Sequence, residues 1–252
     1  MARKARRRAP HAKGYRRVVL KLSGEVLGGS GKSVINPDFT KEVLRQVKRI
    51  VARGVRVGIV VGGGNFLRGS QAEKRGLGRV SADWIGMLGT IANGIALRDI
   101  AKGLGLDVRV MSCIPSPSVV EPYAADTARA HLDAGRVVVF VGGTGNPFLT
   151  TDTAAAIRAV EVGADVVLKA TKVDGVYSAD PVRNSKARRF RSIAIRDAIS
   201  RDLAFMDKSA LCLCNESAVP IVVFNIFDKD SIVRVVAGEN IGTVVAGVID
   251  GG

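Results

Sequence analysis

From position 18 onward, short and mostly continuous apolar runs alternate with longer stretches in which apolar residues recur every three or four positions. The runs are Val18–Leu22, Val55–Val61, Val108–Met111, Val137–Val141, Val166–Leu168, Ile221–Phe224 and Thr243–Val248. They are of strand length and β-branched, as expected of a parallel sheet covered on both faces. Between the first two, Val43, Leu44, Val47, Ile50 and Val51 follow a helical stripe that Gly54 stops. The stretch from Asp152 to Val162 is Ala-rich and ends at Gly163. Asp207 is placed to cap a helix with Ala210, Leu211, Cys214 and Ala218 on its inner face. Strands alternating with helices imply right-handed crossovers, and so an α/β fold: a three-layer α/β/α sandwich with a mainly parallel central sheet. A soft division near residue 165 is where such a sheet would change direction.

Length and composition narrow the class. The 252 residues suit one large domain or two small ones, and 47% hydrophobic residues suffice for a full core. No apolar run approaches the length of a bilayer span, and no apolar segment follows the charged N-terminus as in a signal peptide. The cysteines are Cys113, Cys212 and Cys214, an odd and sparse set that argues against a disulfide framework and for a reducing, cytoplasmic setting. Cys212 and Cys214 read as small buried hydrophobes, because no second Cys or His pair lies near them to complete a metal site. The net charge of +15 is uneven. Arg3, Lys4, Arg6, Arg7, Arg8, Lys13, Arg16 and Arg17 supply eight of the fifteen charges with no acid among residues 1–17. Residues 1–14 are therefore expected to be a solvated basic tail, and 15–252 the folded domain. The tail lacks the serine and amphipathic stripe of a transit peptide.

Three glycine-rich turns follow predicted strands, at the carboxyl ends where open α/β sheets bind ligands. They are Lys21-Leu22-Ser23-Gly24, Gly62-Gly63-Gly64-Asn65 followed by Arg68, and Gly142-Gly143-Thr144-Gly145-Asn146-Pro147 followed by Thr150, Thr151 and Asp152 at a helix start. Glycines let backbone N–H groups close on an anion, and a helix N-terminus adds a favourable dipole. One such turn would pass for a tight connection; three, two of them beside a cation, favour an anion site. It is not a P-loop: Gly31-Lys32-Ser33 would need Gly where Val26 stands. A dinucleotide fingerprint fails as well, because Leu67 and Phe148 occupy its third glycine position. With only His11 and His131, histidine acid–base chemistry and a histidine-containing zinc site are disfavoured.

Five motifs then make a resemblance specific: Lys21-Leu22-Ser23-Gly24-Glu25; Gly62 to Gly69; Asp83 with Gly86-Met87-Leu88; Thr144-Gly145-Asn146-Pro147-Phe148-Leu149-Thr150-Thr151-Asp152; and Lys169 to Tyr177 with Asp180-Pro181. In this order, from about Tyr15 to Val245, the chain resembles the bacterial uridylate kinases of the amino-acid-kinase fold family. It departs from them in the Arg-rich tail, in Gly28–Ser33, and at Leu149, where the family often has a second aromatic residue. The resemblance implies transfer of the ATP γ-phosphate to UMP, giving UDP for pyrimidine nucleotide synthesis. It assigns Lys21, Leu22, Ser23, Gly24, Gly64 and Arg68 to the ATP phosphates, and Thr171, Tyr177 and Asp180 to the adenosine pocket. Gly63 and Asp83 resemble UMP contacts, and Thr144, Gly145, Asn146, Pro147, Phe148, Leu149, Thr150 and Thr151 the cradle for uracil and its phosphate. It also implies a homohexamer, activation by GTP and inhibition by UTP, with Gly28–Ser33 as the place to look for an effector.

The chemistry agrees with these assignments. The acceptor is a phosphate oxygen, ionised near neutral pH, so no general base is needed. The difficulty is bringing two polyanions together, and Lys21, Arg68, Lys169, backbone N–H groups and Mg²⁺ carried by ATP would offset that repulsion. Asp152 would orient a lysine. Two other readings are weighed against this one: a carboxylate or carbamate kinase such as acetylglutamate kinase, disfavoured by the Thr144–Thr151 loop, and a nucleic-acid-binding regulator. The second is disfavoured because the charge concentrates in a short arm without interleaved aromatics.

Overall fold

In the computed structural model the described residues are 14–29, 33–67, 76–181, 183–184 and 186–247. The basic tail to residue 13, residues 30–32 of the Gly28–Ser33 segment, and Arg68 lie outside them. The strands are β1 (Arg17–Leu22), β2 (Arg56–Val61), β3 (Val108–Ser112), β4 (Glu121–Pro122), β5 (Val137–Val141), β6 (Val166–Thr171), β7 (Ser192–Ala194), β8 (Ile221–Asn225) and β9 (Gly242–Ala246). They form one nine-stranded sheet in the order β4-β3-β5-β2-β1-β6-β8-β9-β7. All pairings are parallel except β8 with β9, so β9 and its partner β7 run against the rest. The apolar run from 243 to 248 gave the strand but not its direction, since a two-sided apolar strand reads the same either way.

The helices are α1 (Gly24–Leu27), α2 (Pro37–Val51), α3 (Arg79–Gly103), α4 (Ala125–Asp133), α5 (Thr151–Val162), α6 (Ile195–Ser200), α7 (Lys208–Glu216) and α8 (Ser231–Val236). Strand parity sorts them into two layers. Val18, Leu20 and Leu22 point into a core shared with Leu44 of α2, Leu97 of α3 and Ile232 of α8. Val19 points the other way, into a core built from Leu132 of α4, Ala155 and Ala159 of α5, Ile195 of α6 and Leu211 of α7. Lys21 has the parity of Val19. On β6, Leu168 and Ala170 join the first core and Val167 the second, so Lys169 also faces the α5 side. The strand pairing sets Lys21 directly opposite Lys169.

The chain crosses from one side of β1 to the other between β5 and β6, near residue 165, where the soft division was expected from a change of sheet direction. Asp165 fixes that crossing by accepting from the backbone N–H groups of Arg16 and Arg17, each at 2.9 Å.

Helix α3 has no counterpart in the sequence reading. Apolar residues surround it, so it has no sharp stripe: Met87, Ile91 and Leu97 are buried, while Val80, Trp84, Ile85 and Leu88 are exposed. Contrary to the expectation from composition, its length and apolarity would suffice for a bilayer span. It packs instead on β2, β3 and β5, and Asn93 on it is fully buried. Asp207 caps α7 as expected, its Oδ1 accepting from Ala210 N at 2.8 Å, but Ala218 lies beyond the helix end with φ 53°. Cys214 is buried, and burial pushes its thiol up to about 12, whereas Cys212 is exposed, contrary to the reading of both as buried.

Candidate active site

The carboxyl ends of the parallel strands gather the three predicted turns. At the floor of the crevice, Asp152 lies in the first turn of α5 between the two lysines. Its Oδ1 is 3.0 Å from Lys21 Nζ, and its Oδ2 accepts from Lys169 Nζ. Burial alone would raise the Asp152 carboxyl; Lys21 and Lys169 outweigh it and hold the group below its ordinary value. Burial, reinforced by the like charge of Lys21, pushes the Lys169 ammonium down to about 8, despite the pull of Asp152 and Asp207. The cluster itself holds two ammoniums to one carboxylate at low solvent exposure, with Asp207 a second carboxylate near Lys169. That arrangement suits a polyanion.

Asp207 is a residue whose site role the sequence did not reveal. Besides capping α7, it accepts from Thr150 Oγ1 and, at 3.1 Å, from Thr153 Oγ1. Thr150 in turn caps α5, accepting from Asp152 N at 3.0 Å. Asp207 therefore fixes the helix start that carries Asp152. Its only signal in the sequence was that of a helix cap.

The first two turns touch. A Cβ on Gly24 would stand 2.3 Å from Asn65 Oδ1 and 2.6 Å from Gly62 O, and one on Gly63 would stand 2.0 Å from Gly86 O of α3. Only glycine permits these approaches, which wedge the Gly62–Asn65 turn between the start of α1 and helix α3. Ser23 caps α1, its Oγ accepting from Val26 N at 3.3 Å. The Leu22 side chain is fully buried in the core, so any ligand contact from that position must come from the backbone.

The third turn faces them across an open cleft lined by Gly63, Gly64, Asp83, Gly143, Thr150 and Thr151, among others. Gly142, Gly143 and Gly145 take positive φ, and Thr144 Oγ1 closes the loop by accepting from Asn146 N at 3.2 Å. Pro147 is half-buried, whereas Phe148 and Leu149 are exposed, Phe148 at 64%. Phe148 adopts φ 69°, a strained conformation for a bulky residue. Asp83 helps to hold it: Oδ2 accepts from Phe148 N at 2.7 Å and from Arg79 Nε at 2.9 Å. The expected ribose contact of Asp83 thus shares its carboxylate with the loop backbone.

The remaining residues stand apart from this cluster. Thr171 ends β6 beside Asn225, and its Oγ1 donates to Val173 O at 2.6 Å. On the following loop, Tyr177 OH donates to Asp174 Oδ1 at 2.6 Å, which raises the phenol above its usual value. Asp180 is exposed and pairs with Arg183 at 3.5 Å. His131 lies in the last turn of α4, 3.0 Å from Glu121 Oε2 and away from the crevice.

A mainly parallel sheet with glycine turns and a lysine–aspartate–lysine cluster at its carboxyl edge defines a phosphate-handling α/β protein. The chain belongs to the amino acid kinase family, whose model matches residues 16–225. Within that family it is similar to the uridylate kinase of Legionella pneumophila strain Corby, 47% identical over 231 residues that cover 92% of this chain and 94% of that protein. The protein of strain Paris is 46% identical over the same coverage. Among solved structures it is similar to the UMP kinase of Bacillus anthracis, with TM-score 0.89 and 39% identity over 94% of this chain and 98% of that one. The UMP kinase of Ureaplasma parvum gives TM-score 0.87 and 36% identity over 92% and 98%.

Proposed function

We propose that this chain transfers the γ-phosphate of ATP to UMP, giving ADP and UDP. The observation that carries the reading is the Lys21–Asp152–Lys169 cluster, set at the edge where the glycine turns meet, in a chain so similar to uridylate kinases. A phosphate oxygen of UMP forms the new bond to the γ-phosphorus as the bond from that phosphorus to the β–γ bridging oxygen breaks, and the electron pair leaves with ADP. Charge builds on the bridging and equatorial oxygens, where the lysine ammoniums stabilise it most. No proton need be removed from the acceptor, so Asp152 positions ammoniums rather than acting as a base.

The donor assignment places ATP over Gly24, Gly64 and Arg68, with Thr171, Tyr177 and Asp180 toward adenosine. The acceptor assignment places UMP between Gly63, Asp83 and the Thr144–Thr151 loop. Magnesium would enter on ATP and neutralise phosphate charge. Asp152, the half-buried crevice carboxylate, is already engaged by two ammoniums, so the phosphates would supply the ion's anionic ligands. Self-association, with a hexamer as the family expectation, is supported by the exposed apolar side chains Leu77, just before α3, and Val80, Trp84 and Leu88 within its first ten residues. Activation by GTP, inhibition by UTP, a cytoplasmic location and a tail that serves no catalytic step complete the reading.

A coupled assay of ADP release with UMP, CMP, dUMP and N-acetylglutamate tests it. UMP should give the highest kcat/KM. Turnover of N-acetylglutamate without UMP would replace the reading by its carboxylate-kinase rival.

A further inference from the structure

Among the contacts that helix α3 makes with the crevice is a buried amide, which the reaction chemistry described above does not use. Asn93 is 0% exposed. Its Nδ2 donates to Gly62 O at 2.8 Å and to Asn65 Oδ1 at 2.9 Å, and its Oδ1 accepts from Asn65 Nδ2 at 2.8 Å. The two side chains thus form a closed pair with two reciprocal hydrogen bonds. The second hydrogen of Asn65 Nδ2 goes to Val34 O, also at 2.8 Å. Every donor of both amides is used, so the pair has one orientation and no spare rotamer.

Its position matters more than its strength. Asn65 Oδ1 is also the atom nearest to where a Cβ on Gly24 would stand, at 2.3 Å. Gly63 presses on Gly86, seven residues before Asn93 on the same helix, and Asp83 of that helix holds the Phe148 backbone. Helix α3 therefore fixes the middle turn at both ends, through Gly86 and through Asn93, while bracing the acceptor loop. The middle turn is the only one of the three wedged between donor and acceptor sides.

We propose that Asn93, acting through Asn65, is a positioning residue for phosphoryl transfer: the amide pair sets the Gly62–Asn65 turn at the in-line distance and contributes little to binding either nucleotide. Lys21, Lys169 and the Thr150 helix start, the groups read as holding the substrates, make no hydrogen bond to either amide. This rests on the crevice being the phosphate site.

Steady-state kinetics on full-length Asn93→Ala and Asn65→Ala test the proposal. Both should lose at least about 30-fold in kcat, with KM for ATP and for UMP each shifted less than about threefold. The double variant should lose no more than about threefold beyond the worse single one, because the two amides act as a unit. Gln46→Leu is the control. Gln46 is another buried amide, 4% exposed, whose Oε1 accepts from Ile232 N at 3.0 Å between α2 and α8. Assayed equally far below its own Tm, it should keep kcat within about twofold, which separates positioning from general loss of packing. If Asn93→Ala does not fold, the half-buried Asn65→Ala carries the same thresholds. The proposal is overturned if a folded variant keeps more than about a third of kcat, if the loss lies in KM, or if Gln46→Leu loses as much. Lys21→Ala reports separately on the crevice: full activity there would sink the site reading.

Discussion

The floor of the crevice and the Gly142–Leu149 loop above it are built on opposite plans. Lys21, Asp152 and Lys169 stand on two central strands and a helix start, with side-chain exposures of 12%, 13% and 8%. Their rotamers are fixed by one another. The loop from Gly142 to Leu149 is held by backbone geometry and by a few hydrogen bonds, and it presents Phe148 and Leu149 to solvent. The difference is what a transferase requires. Transition-state charge must meet a preorganised field, whereas the acceptor must enter and leave. Damage to the floor should therefore appear in kcat, and damage to the loop in the KM for UMP.

The largest expected effect is at the floor. Lys21→Ala should lower kcat at least about 100-fold, roughly 2.7 kcal/mol, without unfolding. Lys21→Arg should rescue poorly, because a planar fork does not replace a compact ammonium in that space. Kinetics with circular dichroism as a folding control check both, and a folded Lys21→Ala enzyme retaining more than about a tenth of wild-type kcat would move the site elsewhere.

Next comes pH. Lys169 titrates at about 8 in the free protein, well below its ordinary value, so its positive charge is present at neutral pH and lost as pH rises through that value. If the reaction needs that charge, kcat/KM for ATP should fall above about pH 8, reaching a tenfold loss per unit. A profile flat to pH 9.5 would show that Lys169 keeps its proton or is not needed.

A smaller effect tests the loop. Asp83→Asn keeps an oxygen for Phe148 N but loses the charge, so KM for UMP should rise about fivefold, near 1 kcal/mol, with KM for ATP little changed. Equal changes for both substrates would take Asp83 out of the acceptor site. The smallest effect is at the N-terminus. Removing residues 1–14 should leave kcat within about twofold, since no anion-binding turn lies there. A tenfold loss at unchanged oligomeric state would give the tail a catalytic role.

Much of the floor was legible in the chain itself. Period-two parity on Val18–Leu22 places Lys21 opposite the Leu20 core, and the α5 signals Thr150 and Gly163 bracket the helix as found, the former as cap and the latter at φ 66°. Other features left no local trace. Helix α3 lacks a clean stripe because both its faces are apolar, one against the sheet and one outward. The direction of β9 and the short strands β4 and β7 depend on pairing partners distant in sequence. Asp207 announced itself only as a cap, because its bonds to Thr150 and Thr153 join segments more than fifty residues apart.

The crossover at Asp165 has a use in protein engineering. Cut in the exposed turn at Gly163, the gene yields one piece carrying Lys21 and Asp152 and another carrying Lys169, with β1 and β6 as the mating edges. Neither piece holds the complete charge cluster. Restored turnover would then report the meeting of the two pieces.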